Sequence, residues 1–143
     1  VKYSLKSLIA CAAVCAAPMV FAGEFYAHVY GGRSAEGANL IKGVVTDKFT
    51  DHFPAAKWKI VILSSAYMTS SGGLAHASVG ISPKGPKSDV PRRFFSAYAT
   101  KSDNASLTPA QLSELERLAI RNATTEMMVA CENEAKCDVY KPY

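Results

Sequence analysis

Residues 108–137 read TPAQLSELERLAIRNATTEMMVACENEAKC, and this stretch decides how the rest of the chain is arranged. Thr108 is suited to cap a helix, because its hydroxyl oxygen can accept a hydrogen bond from an amide of the first turn. Pro109 follows at the first helical position, where a missing N–H costs nothing, and Gln111 completes a capping box with Thr108. Leu112, Leu115, Ala119, Ala123, Met127 and Ala130 recur at three- and four-residue intervals, which places them on one face of a long helix. Glu114, Arg117, Arg121 and Thr125 fall on the opposite face.

Cys131 and Cys137 indicate where that helix stops. Positions six apart in a continuous helix are separated by about 9 Å along the axis and by about 120° around it, whereas a disulfide requires Cα atoms within about 7 Å. A bond between the two cysteines therefore requires the helix to end near Glu132 or Asn133 and the chain to turn back. Asn133 tolerates the left-handed conformation that such an ending favours.

The beginning of the chain supports that bond. Lys2 and Lys6 precede an apolar run from Leu8 to Ala22, and Val20-Phe21-Ala22 before Gly23 has the form of a cleavage site. The expected organisation is a secretory signal peptide over residues 1–22 and a single α+β domain over 23–143, periplasmic or secreted. The apolar run is shorter than the roughly 20 residues of a membrane span, so no membrane association is expected after cleavage. Cleavage also removes Cys11 and Cys15, leaving two nearby cysteines in an oxidising compartment, where a structural disulfide is favoured over a metal or redox pair. Removing Lys2 and Lys6 takes two charges from the formal +4, leaving +2. That weak balance gives no reason to expect a nucleic-acid partner.

Working back from the helix, residues 92–100 (RRFFSAYAT) read as a strand, preceded by a loop rich in proline and lysine over 83–91. Residues 57–68 (KWKIVILSSAYM) form the most β-prone run and are apolar on both faces at their centre, as an interior strand would be. Residues 69–73 (TSSGG) then read as a hairpin turn. In the returning strand, 74–82, Ala75, Ala77, Val79 and Ile81 alternate with His76, Ser78 and Gly80. Residues 24–30 (EFYAHVY) alternate as a first strand. Ser34 is the expected cap of a helix whose stripe comprises Leu40, Ile41, Val44, Val45, Phe49 and Phe53. The element order is β-α-β-β-β-α. Short loops make the last three strands an antiparallel meander, and both helices must bury their stripes on one sheet face, giving a two-layer α+β sandwich. The α-β-β-β-α portion resembles the order found in double-stranded-RNA-binding domains, a role for which an exported, weakly charged chain has little use.

The sheet face without helices is expected to carry Tyr26, His28, Tyr30, His76 and Ser78, joined by Tyr98. Aromatic and imidazole side chains there offer contact area at low entropic cost, as binding surfaces do. His76-Ala77-Ser78 resembles one of the two His-x-Ser/Thr motifs of the 2H phosphoesterases. In that resemblance His28 and His76 would act as acid and base, with Ser78 as the accompanying hydroxyl. His28-Val29-Tyr30 departs from the pattern by placing tyrosine where a small hydroxyl residue belongs. No carboxyl residue sits at ligand spacing beside either histidine, so neither a metal nor another cofactor is expected.

Lys84, Lys87, Arg92 and Arg93 make the loop before the last strand the densest positive charge of the domain, suited to a protein partner with an acidic surface. Together these readings favour a small exported protein-binding module, an inhibitor or immunity-type protein acting on an envelope or secreted partner, over an enzyme. The competing classes are a phosphoesterase-like hydrolase using His28 and His76, and a small-ligand carrier with a pocket between sheet and helices.

Overall fold

A computed structural model describes residues 25, 27–31, 37–85, 90–102, 106–132 and 137. The expected leader over 1–22, the cap at Ser34, Asn133, and the side chains of Tyr26, His28 and Lys87 lie outside what is described. Four strands form one sheet in the order of the chain: β1 (Ala27–Gly31), β2 (Trp58–Thr69), β3 (Gly72–Pro83) and β4 (Phe95–Ser102). β1 runs parallel to β2, and β2–β3–β4 is an antiparallel meander. The β2–β3 turn is tighter than the sequence suggests. Thr69 still pairs with Gly72, leaving only Ser70 and Ser71 to reverse the chain. β4 starts later than the sequence suggests, at Phe95, because Arg92 and Arg93 belong to the connection leading into it.

Alternation divides the sheet into two faces, as the pleat requires. One face carries Ile60 and Ile62 from β2, Ala75, Ala77, Val79 and Ile81 from β3, and Phe95, Ala97 and Ala99 from β4, all buried. The cross-strand sets Ile62–Val79–Phe95 and Ser64–Ala77–Ala97 show how the register keeps this face together. Its small alanines let the long helix, α3 (Pro109–Cys131), lie close against β3 and β4. The helix contributes Leu112, Leu115, Ala119, Ile120, Ala123, Met127 and Met128. Full burial of each large apolar side chain contributes about 1.5–3 kcal/mol.

Both ends of α3 follow from local chemistry. At the start, the Gln111 amide donates to Thr108 Oγ1 at 3.2 Å, and the Thr108 amide donates back to Gln111 Oε1 at 2.8 Å. At the other end the helix stops at Cys131, and Cys131 is bonded to Cys137 with the Cα atoms 4.5 Å apart. A straight helix would hold those two positions about twice as far apart.

The first helical region departs from expectation. The continuous stripe from Leu40 to Phe53 is divided into α1 (Gly37–Ile41) and α2 (Asp47–His52). Gly43 adopts a φ of 76° between them, a left-handed conformation that ends the first piece and that glycine enters without steric cost. Thr46 then caps α2, accepting from the Phe49 amide at 3.2 Å. The apolar spacing survives because both pieces still face inward. The rings of Phe25, Phe49, Phe53 and Trp58 pack in sequence, tilted or edge-on, with centroids 5.1–5.6 Å apart, as an aromatic part of the core.

Candidate functional site

The second sheet face has no helix upon it. The register arranges its residues in rows: Tyr30–Leu63–Ser78–Ser96, then Ser65–His76–Tyr98, then Tyr67–Leu74–Thr100. Tyr30, Leu63, Tyr67 and Tyr98 are exposed, Tyr98 to 66%. Three of the sequence-derived candidates meet here. The rings of His76 and Tyr98 lie 4.8 Å apart, and His76 Nε2 is 3.4 Å from Ser78 Oγ, which is 2.6 Å from Ser96 Oγ. Tyr30 joins them at the edge formed by β1.

His28 is placed differently. In the register it pairs with Val61, which pairs with Gly80, four residues along β3 from His76 and two strands away. Strand spacing and rise put the two backbone positions about 16 Å apart. The register thus brings His76, Ser78 and Tyr98 together and sets His28 at a different level. His76 and Ser78 resemble the base and hydroxyl of a nucleophilic pair, which in such sites is oriented by a third, acidic group. None of the four described strands contains an aspartate or glutamate to supply it. No group of three or more potential metal-binding side chains occurs among the described residues.

The far end of this face is not open. The connection before β4 folds onto it, so that a Cβ added at Gly80 would lie 2.5 Å from the Pro91 ring and 2.6 Å from the Arg93 carbonyl oxygen. Gly80, its partner Val61 and Pro91 are buried together. Glycine is required there for close backbone approach. The same connection brings basic residues to that end of the sheet. Lys84, Arg92 and Arg93 are exposed, and the Arg93 guanidinium lies 4.8 Å from the centre of the Phe95 ring.

Two features were missed in the sequence. Leu63, Tyr67 and Leu74 belong to the open face, and the alternation Leu63-Ser65-Tyr67 within the strongly apolar β2 run was the available signal. The other is a groove of about 550 Å³ along the outer edge of β4, lined by Ser96, Ala97, Tyr98, Asn122, Thr125 and Glu126. It depends on how α3 lies over the last strand, which no local pattern states.

No family model matches the chain, and no curated protein or solved structure matches it either.

Proposed function

We propose that this is a protein-binding module whose open sheet face receives a partner with an acidic contact surface. The observation that carries the reading is the charge and character of the sheet. Its four strands contain no acidic residue, and the open face combines Tyr30, Leu63, Tyr67, Leu74, His76 and Tyr98 with a basic connection at one end. Tyrosine and leucine on a rigid sheet supply apolar contact with little ordering cost, while Lys84 and Arg92 favour approach by an acidic surface. The Arg93 guanidinium lies over Phe95, a residue of the helix-covered face. An exported inhibitor or immunity-type protein is the most concrete form of this reading, with Lys87 completing the basic set.

The test is capture of partners from envelope and secreted fractions by three forms of the purified protein. These are the wild type, a variant with Lys84, Lys87, Arg92 and Arg93 neutralised, and Tyr98→Ala. A stoichiometric acidic partner whose retention falls in both variants, and falls with added salt, is the expected result. A partner retained equally by all three would overturn the assignment to this face, and capture of none by the wild type would overturn the binding function.

A further inference from the structure

The edge of β4 carries an inference that does not rest on the partner reading above. β4 is the last strand of the sheet, and among the described residues nothing pairs with its outer side. Exposed edges are ordinarily blunted by proline, by a bulge or by charged side chains, lysine especially, because their unpaired backbone groups attract another strand. The sequence of β4, FSAYATKS, contains no proline, and its pairing with β3 runs without a bulge from Phe95 to Ser102. Its one charge is Lys101, next to the end of the strand.

The groove along this edge is lined by one charged residue as well, Glu126. Neither Lys101 nor Glu126 has an ion-pair or hydrogen-bond partner among the described residues of its own chain. Their positions are at opposite ends. Leu112 and Leu115 lie beside Gly73, which pairs with Lys101, whereas Asn122 and Glu126 lie beside Ser96, Ala97 and Tyr98. The helix α3 therefore runs antiparallel to β4, and Glu126 is toward the Phe95 end.

We propose that the strand occupying this edge is β4 of a second copy of the chain, paired antiparallel about a twofold axis perpendicular to the sheet. Directly opposed residues of antiparallel strands point to the same face, so the axis must pass between two copies of one residue, and Tyr98 lies at mid-strand. Ser96 then meets the partner's Thr100, Ala97 the partner's Ala99, and Lys101 the partner's Phe95. That last position is at the end of the groove toward which the partner's Glu126 lies. The single charge of each strand thus meets the single charge of the other protomer's groove, twice per dimer. Ala97 and Ala99 leave room beneath the seam for the two α3 helices. Exposed Leu118 and Val129 share the helix flank of Asn122 and Glu126 through i+4 and i+3 spacing. The dimer sheet presents both open faces on the same side, as one continuous surface.

Sedimentation velocity of the purified protein, from low to high micromolar concentration, tests this. A monomer–dimer equilibrium is expected. Lys101→Glu and Glu126→Lys, both at exposed positions, should each weaken dimerisation about tenfold, as two ion pairs of modest strength become repulsive. The doubly exchanged variant should recover wild-type association. A monomer at every concentration overturns the proposal. So does a dimer indifferent to either single reversal, or one that the double exchange fails to restore.

Discussion

Ser64 on β2 donates a hydrogen bond to Glu116 on α3, with 2.7 Å between Oγ and Oε1, across the interface of sheet and helix. Glu116 is 2% exposed and Ser64 7%, so the carboxyl group is held within a largely apolar layer between sheet and helix. Losing a hydrogen bond to a buried carboxyl group costs about 1–3 kcal/mol. Ser64→Ala is expected to destabilise by that amount in urea unfolding. Combined with Glu116→Leu, which removes the accepting oxygen, it should show coupling of about 0.5 kcal/mol or more. Strict additivity would mean that the contact contributes nothing of its own.

Leu115 lies one residue before Glu116 and faces the same interface, while Leu118, three residues on, is half exposed. Leu115→Ala should leave a cavity above Gly73 and cost about 2–5 kcal/mol. Leu118→Ala in the monomer should stay within about 0.5 kcal/mol of wild type, as ordinary surface substitutions do. Denaturation midpoints of the two variants, measured at low protein concentration, separate the outcomes. Equal losses would mean that the helix is rotated from the orientation described.

The long helix was legible because several local signals agree on it: Thr108 and Gln111 at one end, the apolar stripe along it, and the cysteine pair at the other. The meander was legible because β3 alternates so regularly between alanine-rich and polar positions. The break at Gly43 was not, since the apolar spacing from Leu40 to Phe53 suits one helix or two inward-facing pieces equally well. Glu116 escaped for a related reason. A charged residue between Leu115 and Arg117 reads as solvent-facing until the partner at Ser64, 52 positions away, is brought to it. On the candidate surface, alternation placed His76, Ser78, Tyr30 and Tyr98 on one face. The distance between His28 and His76 follows from register between non-consecutive strands, which alternation does not encode.

Cys131 and Cys137 are both buried, and their bond closes a loop of six residues' separation beyond the last turn of α3. A loop this short restricts the unfolded chain modestly, so Cys137→Ala should cost about 2 kcal/mol. A thiol reagent added to the native, unreduced protein lacking residues 1–22 is expected to find no reactive cysteine. Two equivalents of reaction without denaturant would contradict the bond.

Gly80 marks the point where the connection before β4 closes over the open face, and its neighbours there include backbone as well as the Pro91 ring. A flexible side chain could move aside at little cost; the carbonyl oxygen of Arg93 can move only with the strand it leads into. Gly80→Ala is therefore expected to destabilise by about 1–3 kcal/mol through overpacking. Protection of the amides of residues 92–95 in hydrogen exchange should fall with it. The contrast is with Ser78→Ala, two residues away on the same face, which removes a hydroxyl but adds no atom beneath the connection. If Gly80→Ala leaves stability within about 0.5 kcal/mol and exchange unchanged, the connection yields freely. The basic residues it carries would then have no fixed position beside the aromatic rows.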